Sequence, residues 1–247
     1  MERLPMLKKI VISVTILLAV LLGYFLLNDG IFADENTGEK IIYVIRPLGR
    51  AEYNDLGMVE LSGKMVKLVV FKTDMFGFDD TEKIYSDPDT LLPIRVEREI
   101  RWFGKENIIE EYDQKNFTVT IKKFQNNKQV NEWVLKEDGP IDNAILLPFY
   151  LRKIPRLDIG WNLNVRIPNK FKLTLVSIDE IKVFGKKFKS YHFTSDPDRF
   201  EIWINKDSPR VPLKIKGKSG FNYNVLIKKY SPGRYKWSPP EALAGGS

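Results

Sequence analysis

The amino-acid sequence predicts a mostly β protein, built as one large curved antiparallel sheet or an open half-barrel, with a hydrophobic N-terminal helix before it. Three observations lead to this prediction. Apolar and polar residues alternate with a period of two in many segments, as they do in strands that bury one face. Turn-forming residues recur roughly every ten residues, which favours a meander of hairpins. An uncharged run from Ile10 to Leu27 stands before all of these segments.

The uncharged run is the most specific signal for location. It follows Lys8 and Lys9, and a basic start before an apolar run is typical of an export signal or a membrane anchor. As a helix, a run of this length spans roughly 27 Å, enough to cross the hydrocarbon core of a bilayer. Ala33 offers a cleavage point before Asp34. We therefore expect a protein exported to the periplasm, either anchored in the inner membrane by residues 10–27 or released after Ala33.

The composition divides the chain into three parts. Residues 1–33 are the predicted signal sequence or membrane anchor, and residues 34–230 are the predicted β-rich periplasmic domain. Residues 231–247 lose the alternation and are rich in Pro, Gly and Ser, which indicates a flexible tail. The central part is long enough to fold around one core without disulfides, and the chain contains no Cys.

The strands with the clearest alternation are spread over the whole central part. They are Lys40–Arg46, Met65–Lys72, Leu92–Ile100, Phe117–Phe124, Lys170–Val176, Glu180–Phe184, Lys187–Phe193, Phe200–Asn205, Pro212–Lys216 and Asn224–Lys229.

One segment has a helical pattern instead. In Asp142–Lys153 the apolar residues recur at helical spacing, and Asp142 or Asn143 is a suitable N-cap. Pro148 restricts the helix to one or two broken turns. We interpret this segment either as a plug or lid lying across the sheet or as a buried crossover between two halves of the sheet.

The order of these features resembles a known family. The segments that carry the likeness are Gly38–Tyr43, Asp89–Pro93, Asp142–Ile145 with Phe149–Arg152, Leu157–Gly160 and Ile202–Ile215. They resemble the exported bacterial proteins of domain of unknown function 3108, over roughly residues 38–230. This resemblance implies a periplasmic β-rich domain without an assigned activity. The unit from Trp203 to Ile215 is also similar, more loosely, to the half-barrels of periplasmic lipoprotein carriers, and that likeness implies lipid as the ligand.

The residue types exclude several kinds of active site. Without Cys the chain has no thiol nucleophile or thiolate metal site, and a single His cannot form a His-rich metal centre. No Gly-x-Ser-x-Gly elbow and no glycine-rich phosphate loop occurs. His192 lies in a predicted strand between Tyr191 and Phe193, where we interpret it as a packed residue rather than a catalytic base. We therefore predict no catalytic residue, no metal and no cofactor.

Two acidic runs are the remaining candidates for chemistry. Asp79–Asp80 with Glu82, and Glu110–Glu111 with Asp113, could supply general acids and bases or bind calcium. The spacing of a calcium loop is absent, and we interpret both runs as solvated turns. A carbohydrate-active enzyme is the third functional hypothesis, and it requires two carboxylates across a cleft, roughly 5–9.5 Å apart.

The favoured hypothesis is a non-enzymatic periplasmic envelope domain that binds a lipid or another amphipathic ligand. A large sheet with one apolar face and little helix to cover it leaves a concave surface, which can hold acyl chains by burial alone. The formal net charge of +7 favours contact with the inner-membrane surface, whereas an exported protein rarely meets nucleic acid. The alternative is a structural or assembly protein that pairs with another envelope component.

The predicted ligand-binding residues come from one strand and from the helical segment. We expect Trp203 to line the concavity, on the face opposite Ile202 and Ile204. If the helical segment is a lid, its apolar residues touch the ligand and its last two basic residues lie at the rim, toward anionic head groups. These lid residues are Leu147, Phe149, Leu151, Arg152 and Lys153.

Overall fold

Fourteen strands make up most of the protein in the computed structural model, which describes residues 38–218 and 222–233. The strands are β1 (Lys40–Arg46), β2 (Gly49–Leu61), β3 (Lys64–Met75), β4 (Phe78–Ser86), β5 (Pro93–Arg101), β6 (Lys105–Asp113), β7 (Thr118–Gln125), β8 (Lys128–Lys136), β9 (Asn162–Ile167), β10 (Asn169–Val183), β11 (Lys186–Asp196), β12 (Phe200–Asn205), β13 (Pro212–Gly217) and β14 (Tyr223–Ser231). A short helix, α1 (Leu147–Leu151), lies between β8 and β9.

All fourteen strands belong to one antiparallel sheet. Their order is β8-β7-β6-β5-β4-β3-β2-β1-β14-β13-β12-β11-β10-β9. The sheet is therefore two meanders, β1–β8 and β9–β14, joined where the first strand pairs with the last. Within the described residues the edge strands β8 and β9 do not pair with each other, so the sheet is not closed.

The prediction of a mostly β protein with one large antiparallel sheet is confirmed. Lys40–Arg46 and Phe200–Asn205 are strands with the predicted bounds. The prediction of two separate strands over 170–184 is wrong, because β10 continues through a register shift between Leu175 and Ser177. A bulge of this kind bends a strand without ending it. Five strands are absent from the prediction: β2, β4, β6, β8 and β9.

The helix α1 is as short as Pro148 predicts. Pro148 stands in the first turn, where its missing N–H removes no helical hydrogen bond. The N-cap residue is Leu146, which makes no side-chain cap, so the prediction of Asp142 or Asn143 as N-cap is wrong. Asn143 instead accepts hydrogen bonds on Oδ1 from the N–H groups of Ile145 (2.9 Å) and Leu146 (3.1 Å). It thereby orders the turn before the helix.

The crossover before α1 contacts strands near both edges of the sheet. The side chain of Gln114, between β6 and β7, donates to the carbonyl of Ile141 (2.9 Å) and accepts the Ile141 N–H (3.0 Å). The next residue, Asp142, donates its N–H to the carbonyl of Arg166 in β9 (2.9 Å) and accepts the Arg166 N–H on its carboxylate (2.8 Å). The crossover therefore connects the β6–β7 turn, near one edge of the sheet, to β9 at the other edge.

The core lies on the face of the sheet that contacts α1, which we call the inner face; the opposite one is the outer face. It consists of two clusters. The first joins β1–β5 with Leu146 and Phe149, and the second joins β9–β12 with Leu147 and Leu151. The helix therefore stands between two halves of one hydrophobic core.

No helix within the described residues has the length and hydropathy needed to cross a membrane. The predicted signal sequence or anchor, residues 1–33, lies outside the described residues, as does the tail beyond residue 233.

Candidate functional site

The helix α1 fills one part of the inner face. The Phe149 ring stacks on the ring of Tyr53 in β2, with centroids 3.7 Å apart. On the other side, Leu147 and Leu151 pack into the second cluster, and the exposed fraction of Leu151 is 0%. The three apolar residues predicted to touch a ligand are thus buried by the protein itself. The helical segment is a plug in the core.

The two basic residues after the helix are bound within the protein. Arg152 forms a two-pronged ion pair with Glu39, in which Nη1 lies 2.7 Å from Oε1. Their side chains are only 19% and 11% exposed, and the guanidinium also lies 5.1 Å from the centroid of the Phe149 ring. Lys153 donates from Nζ to the carbonyl of Pro88 (3.0 Å). Both side chains tie the plug to the sheet.

Trp203 lies on the outer face, opposite Ile202 and Ile204, which belong to the core. Its ring stacks on the imidazole of His192 at a centroid distance of 4.3 Å. Nζ of Lys214, on β13, lies 4.2 Å from the centroid of the Trp203 ring. The structure therefore separates Trp203 from Leu147, Phe149 and Leu151 by the thickness of the sheet.

The two acidic runs meet on the inner face, on strands rather than in solvated turns. Asp80 and Glu82 of β4, and Glu110 of β6, share the side of the sheet that carries Ile84 and Val96 of the core. The interpretation of these runs as solvated turns is wrong for all three residues. A period of two places Asp80 and Glu82 on the face of Ile84, and this spacing was the sequence signal for their burial.

One arginine organises the acidic residues. Arg98 of β5 donates from Nε to both carboxylate oxygens of Asp80 at 2.9 Å and lies 3.5 Å from Glu82 Oε1. Asp80 is 5% exposed. Next to this group, the hydroxyl of Tyr112 donates to Glu110 Oε2. We call these five residues the inner polar cluster.

Burial shifts the protonation of the inner polar cluster. Desolvation raises the pKa of Glu82 to about 7, against the attraction of Arg98 and with the repulsion of Asp80 and Glu110. The pKa of Tyr112 is also raised, by burial and by the neighbouring Glu110. At neutral pH, Glu82 can therefore gain or lose a proton when a charge approaches.

Beyond the inner polar cluster the inner face is apolar and only partly covered. Strand register places Glu110 beside Ile121 and Ile121 beside Trp133, and it places Arg98 beside Ile108. Ile108 and Ile121 are partly exposed, and Trp133 is 37% exposed on the edge strand β8. With Leu135 of β8, 36% exposed, these side chains form what we call the apolar wall.

The cluster and the wall together form a partly exposed region of the inner face with mixed chemistry, which we call the inner cleft. The charged residues on this face of β4–β7 are Asp80, Glu82, Glu106 and Glu110 against Arg98 and Lys123. Four carboxylates against two cations give a net charge of −2, or −1 when Glu82 is protonated. Within the described residues, no group of three or more His, Asp or Glu has the arrangement of a metal site.

The outer face of the same strands carries a shallow groove of about 500 Å³. Its lining includes Glu97 and Glu99 of β5 and Ile109 of β6, and also Arg98 and Ile108, whose side chains the strand register places on the inner face. Glu97 and Glu99 are already paired with Arg95 (2.9 Å) and Lys105 (2.9 Å). Because these charges are paired at an exposed surface, the groove offers less to a ligand than the inner cleft.

The lone histidine belongs to a separate network on the outer face. Its Nε2 lies 2.8 Å from Glu201 Oε2, and its Nδ1 lies 3.4 Å from the hydroxyl of Ser177. Oε1 of Glu201 also lies 3.1 Å from Lys216 Nζ and 2.8 Å from Lys218 Nζ. Burial raises the pKa of Glu201, but these donors outweigh it and hold the pKa at about 2. The Ser177 hydroxyl donates to Asp179, so it is not directed at the imidazole as a nucleophile would be.

Fold and cleft together define a class: open antiparallel β proteins with a plug helix and a half-covered, net acidic inner face. The family model described as "Protein of unknown function (DUF3108)" matches residues 36–228. The chain belongs to this family, as the resemblance implied.

Other comparisons are sparser. A solved structure, described as a β-barrel-like protein of domain of unknown function DUF1849 from Brucella abortus, is similar over 79% of this chain and 97% of that chain, with a TM-score of 0.48 and 13% sequence identity. No curated protein matches the chain.

Proposed function

We propose that this protein is a non-enzymatic domain of the periplasmic envelope that binds an amphipathic ligand in its inner cleft. One observation carries the proposal: the plug covers only part of the inner face, so the apolar wall of β6–β8 remains partly exposed. Burial of an acyl chain on this wall would contribute about 0.8 kcal/mol per CH₂ group. The sheet then acts as an open half-barrel in which the plug forms the floor and the wall forms the binding surface.

The net charge of the cleft indicates the polar end of the ligand. Because the inner polar cluster is net negative and partly desolvated, it favours a positively charged or hydrogen-donating group over an anionic one. An anionic head group would add to the repulsion among Asp80, Glu82 and Glu110 that already raises the pKa of Glu82. We therefore propose an amphiphile with an ammonium or similar group beside Glu82 and Glu110, and its chain along Ile108 and Ile121.

The test uses residues 34–247 and two amphiphiles of equal chain length, dodecylammonium and dodecanoate, titrated calorimetrically below the concentrations at which they aggregate. We expect dodecylammonium to bind more tightly. Ile121→Asn should weaken its binding about tenfold, since a buried apolar contact of this size is worth more than 1.4 kcal/mol. The matched control is Ile109→Asn, on the neighbouring strand β6, because Ile109 lines the outer groove and Ile121 does not.

The outcomes separate the proposals. Loss of binding in the Ile121 variant alone supports the inner cleft, whereas loss in the Ile109 variant alone assigns binding to the outer groove and contradicts the proposal. In Glu110→Gln the preference for dodecylammonium over dodecanoate should shrink while chain binding persists. Mass spectrometry of the natively extracted protein then identifies any lipid that co-purifies.

A second candidate function, pairing with another envelope protein, is favoured by the edge strand β8. Every residue of β8 is exposed, including Val130 (51%) and Val134 (60%). An edge strand with free backbone groups can accept a strand from a partner. A photo-crosslinking residue at Val134 should then capture one defined protein in cells, and the same residue at exposed Ile159 should not.

A further inference from the structure

We infer that one end of the sheet is a membrane-contacting surface, formed by the tips of three adjacent hairpins. The surface, which we call the tip patch, consists of Leu48 in the β1–β2 turn, Phe76 in the β3–β4 turn, and Trp102 and Phe103 in the β5–β6 turn. The inference is independent of the proposed ligand, because these residues lie outside the inner cleft.

The tip patch is exposed to an extent unusual for aromatic side chains. Phe103 is 99% exposed, Phe76 94%, Leu48 69% and Trp102 60%. Tight turns are normally occupied by Gly, Asn, Asp or Ser. Phe103 moreover has φ of 53°, a left-handed conformation that a bulky residue rarely adopts. Neither the turn nor the core therefore explains why a phenylalanine stands there.

The turns at the opposite end of the same strands expose fewer apolar side chains. Because consecutive strands are antiparallel, the β1–β2, β3–β4 and β5–β6 turns share one end, and the β2–β3, β4–β5 and β6–β7 turns share the other. The turns at that other end are residues 62–63, 87–92 and 114–117. Met58 (40%) and Met65 (58%) are exposed beside the first of them, whereas Leu91 is 5% exposed and Phe117 is partly buried. The exposed aromatic residues in the turns of β1–β6 are thus at one end, which scattered surface residues would not be.

The residues beside the three tips connect neighbouring hairpins. The ring of Phe78, at the start of β4, lies 6.1 Å from that of Trp102, and Trp102 lies 5.5 Å from Phe103. On the other side, a Cβ placed on Gly49 would lie 2.6 Å from the side chain of Met75. The β1–β2, β3–β4 and β5–β6 turns therefore lie side by side at this end of the sheet.

The shape and the residue types of this end fit a lipid bilayer. Protruding tips need a concave partner on a folded protein, whereas a fluid bilayer receives them without a matching shape. Trp and Phe are favoured at the membrane interface. Beside the tips, the side chains of Arg50, Arg101 and Lys105 are 47%, 64% and 54% exposed, but they are paired with Glu52 (3.7 Å) and with Glu99 (2.7 and 2.9 Å). The exposed Asp74 and Asp79 offset part of this charge, so we expect insertion of the tips to dominate binding.

The absence of Cys from the chain allows a clean test on the full-length protein. A single cysteine replaces Phe103 and carries an environment-sensitive NBD fluorophore. The matched control places the same label at Ile159, which is 65% exposed and precedes β9 at the opposite end of the strands. The full chain is reconstituted into vesicles of equal parts phosphatidylcholine and phosphatidylglycerol, with and without bromine on the acyl chains. Because each label reports its own position, the segment 10–27 does not confound the result.

We expect a blue shift and quenching by brominated lipid at position 103 and neither at position 159. Adding Phe76→Asp and Leu48→Asp to the Phe103 label should lower the equilibrium constant for insertion, obtained from the quenched fraction, about a hundredfold, since each of the two apolar side chains contributes about a factor of ten. Quenching that is absent at position 103, or equal at both positions, overturns the inference. A blue shift that grows with protein concentration and ignores brominated lipid would instead assign the tip patch to contact between copies of the chain.

Discussion

At the scale of single residues, the protonation of Glu82 should control how stability depends on pH. Its pKa rises from 4.5 to about 7 on folding, so between these values the folded state holds a proton that the unfolded chain has lost. Stability therefore falls as pH rises through this window, by about 3 kcal/mol at most. Chemical denaturation at about pH 5 and about pH 8 should show the fall in the wild type and a smaller one in Glu82→Gln. An equal fall in both proteins would show that protonation of Glu82 does not cause this pH dependence.

The position of Trp203 leads to a second prediction at this scale. The sequence suggested a residue that lines the concavity, but its ring lies on the outer face between His192 and Lys214 and is 7% exposed. Trp203→Ala should therefore lower the free energy of unfolding by about 3 kcal/mol, since a large buried side chain is lost. Dodecylammonium affinity should not change. Weakened binding with unchanged stability would return Trp203 to the ligand site.

At the scale of elements, the ion pair between Glu39 and Arg152 fastens the plug to the start of β1. Removing one partner leaves the other charge in a site of low exposure, so Arg152→Met should cost about 3–5 kcal/mol. The double variant Glu39→Gln with Arg152→Met should cost less than the sum of the two single variants. A double-mutant cycle by urea denaturation measures this coupling. Additive losses would mean that the pair does not hold the plug.

The strands also show which parts of the fold a local sequence pattern can predict. β1 and β12 were predicted with their bounds because both are short runs rich in β-branched and aromatic residues between turn-forming residues. β4 and β6 were missed because carboxylates occupy inner positions where the pattern requires apolar residues. The partner that makes burial of Asp80 tolerable, Arg98, lies on the next strand, and pairing between strands depends on a register that no local pattern contains. The inner cleft could not be predicted for the same reason, because the residues of its apolar wall lie on three different strands.

At the scale of the whole molecule, β14 joins the two meanders. It pairs with β1 on one side and with β13 on the other. A chain truncated after Lys218 lacks this strand, so β1 and β13 each lose their hydrogen-bonding partner on one side. We expect this chain to lose the cooperative thermal transition followed by circular dichroism. The control is truncation after Gly233, which retains β14 and should leave the transition temperature unchanged. A cooperative transition in the shorter chain would show that each meander folds independently.

The pairing of β1 with β14 also has a consequence for how the chain comes into being. A polypeptide emerges with its N-terminus first, so β1 is among the first strands delivered and its partner is the last. Throughout that interval β1 presents an unpaired edge, which is a template for association with other extended chains. The nascent protein therefore has a long vulnerable period that ends only with its final strand. A holdase that binds extended segments would protect it most before β14 arrives.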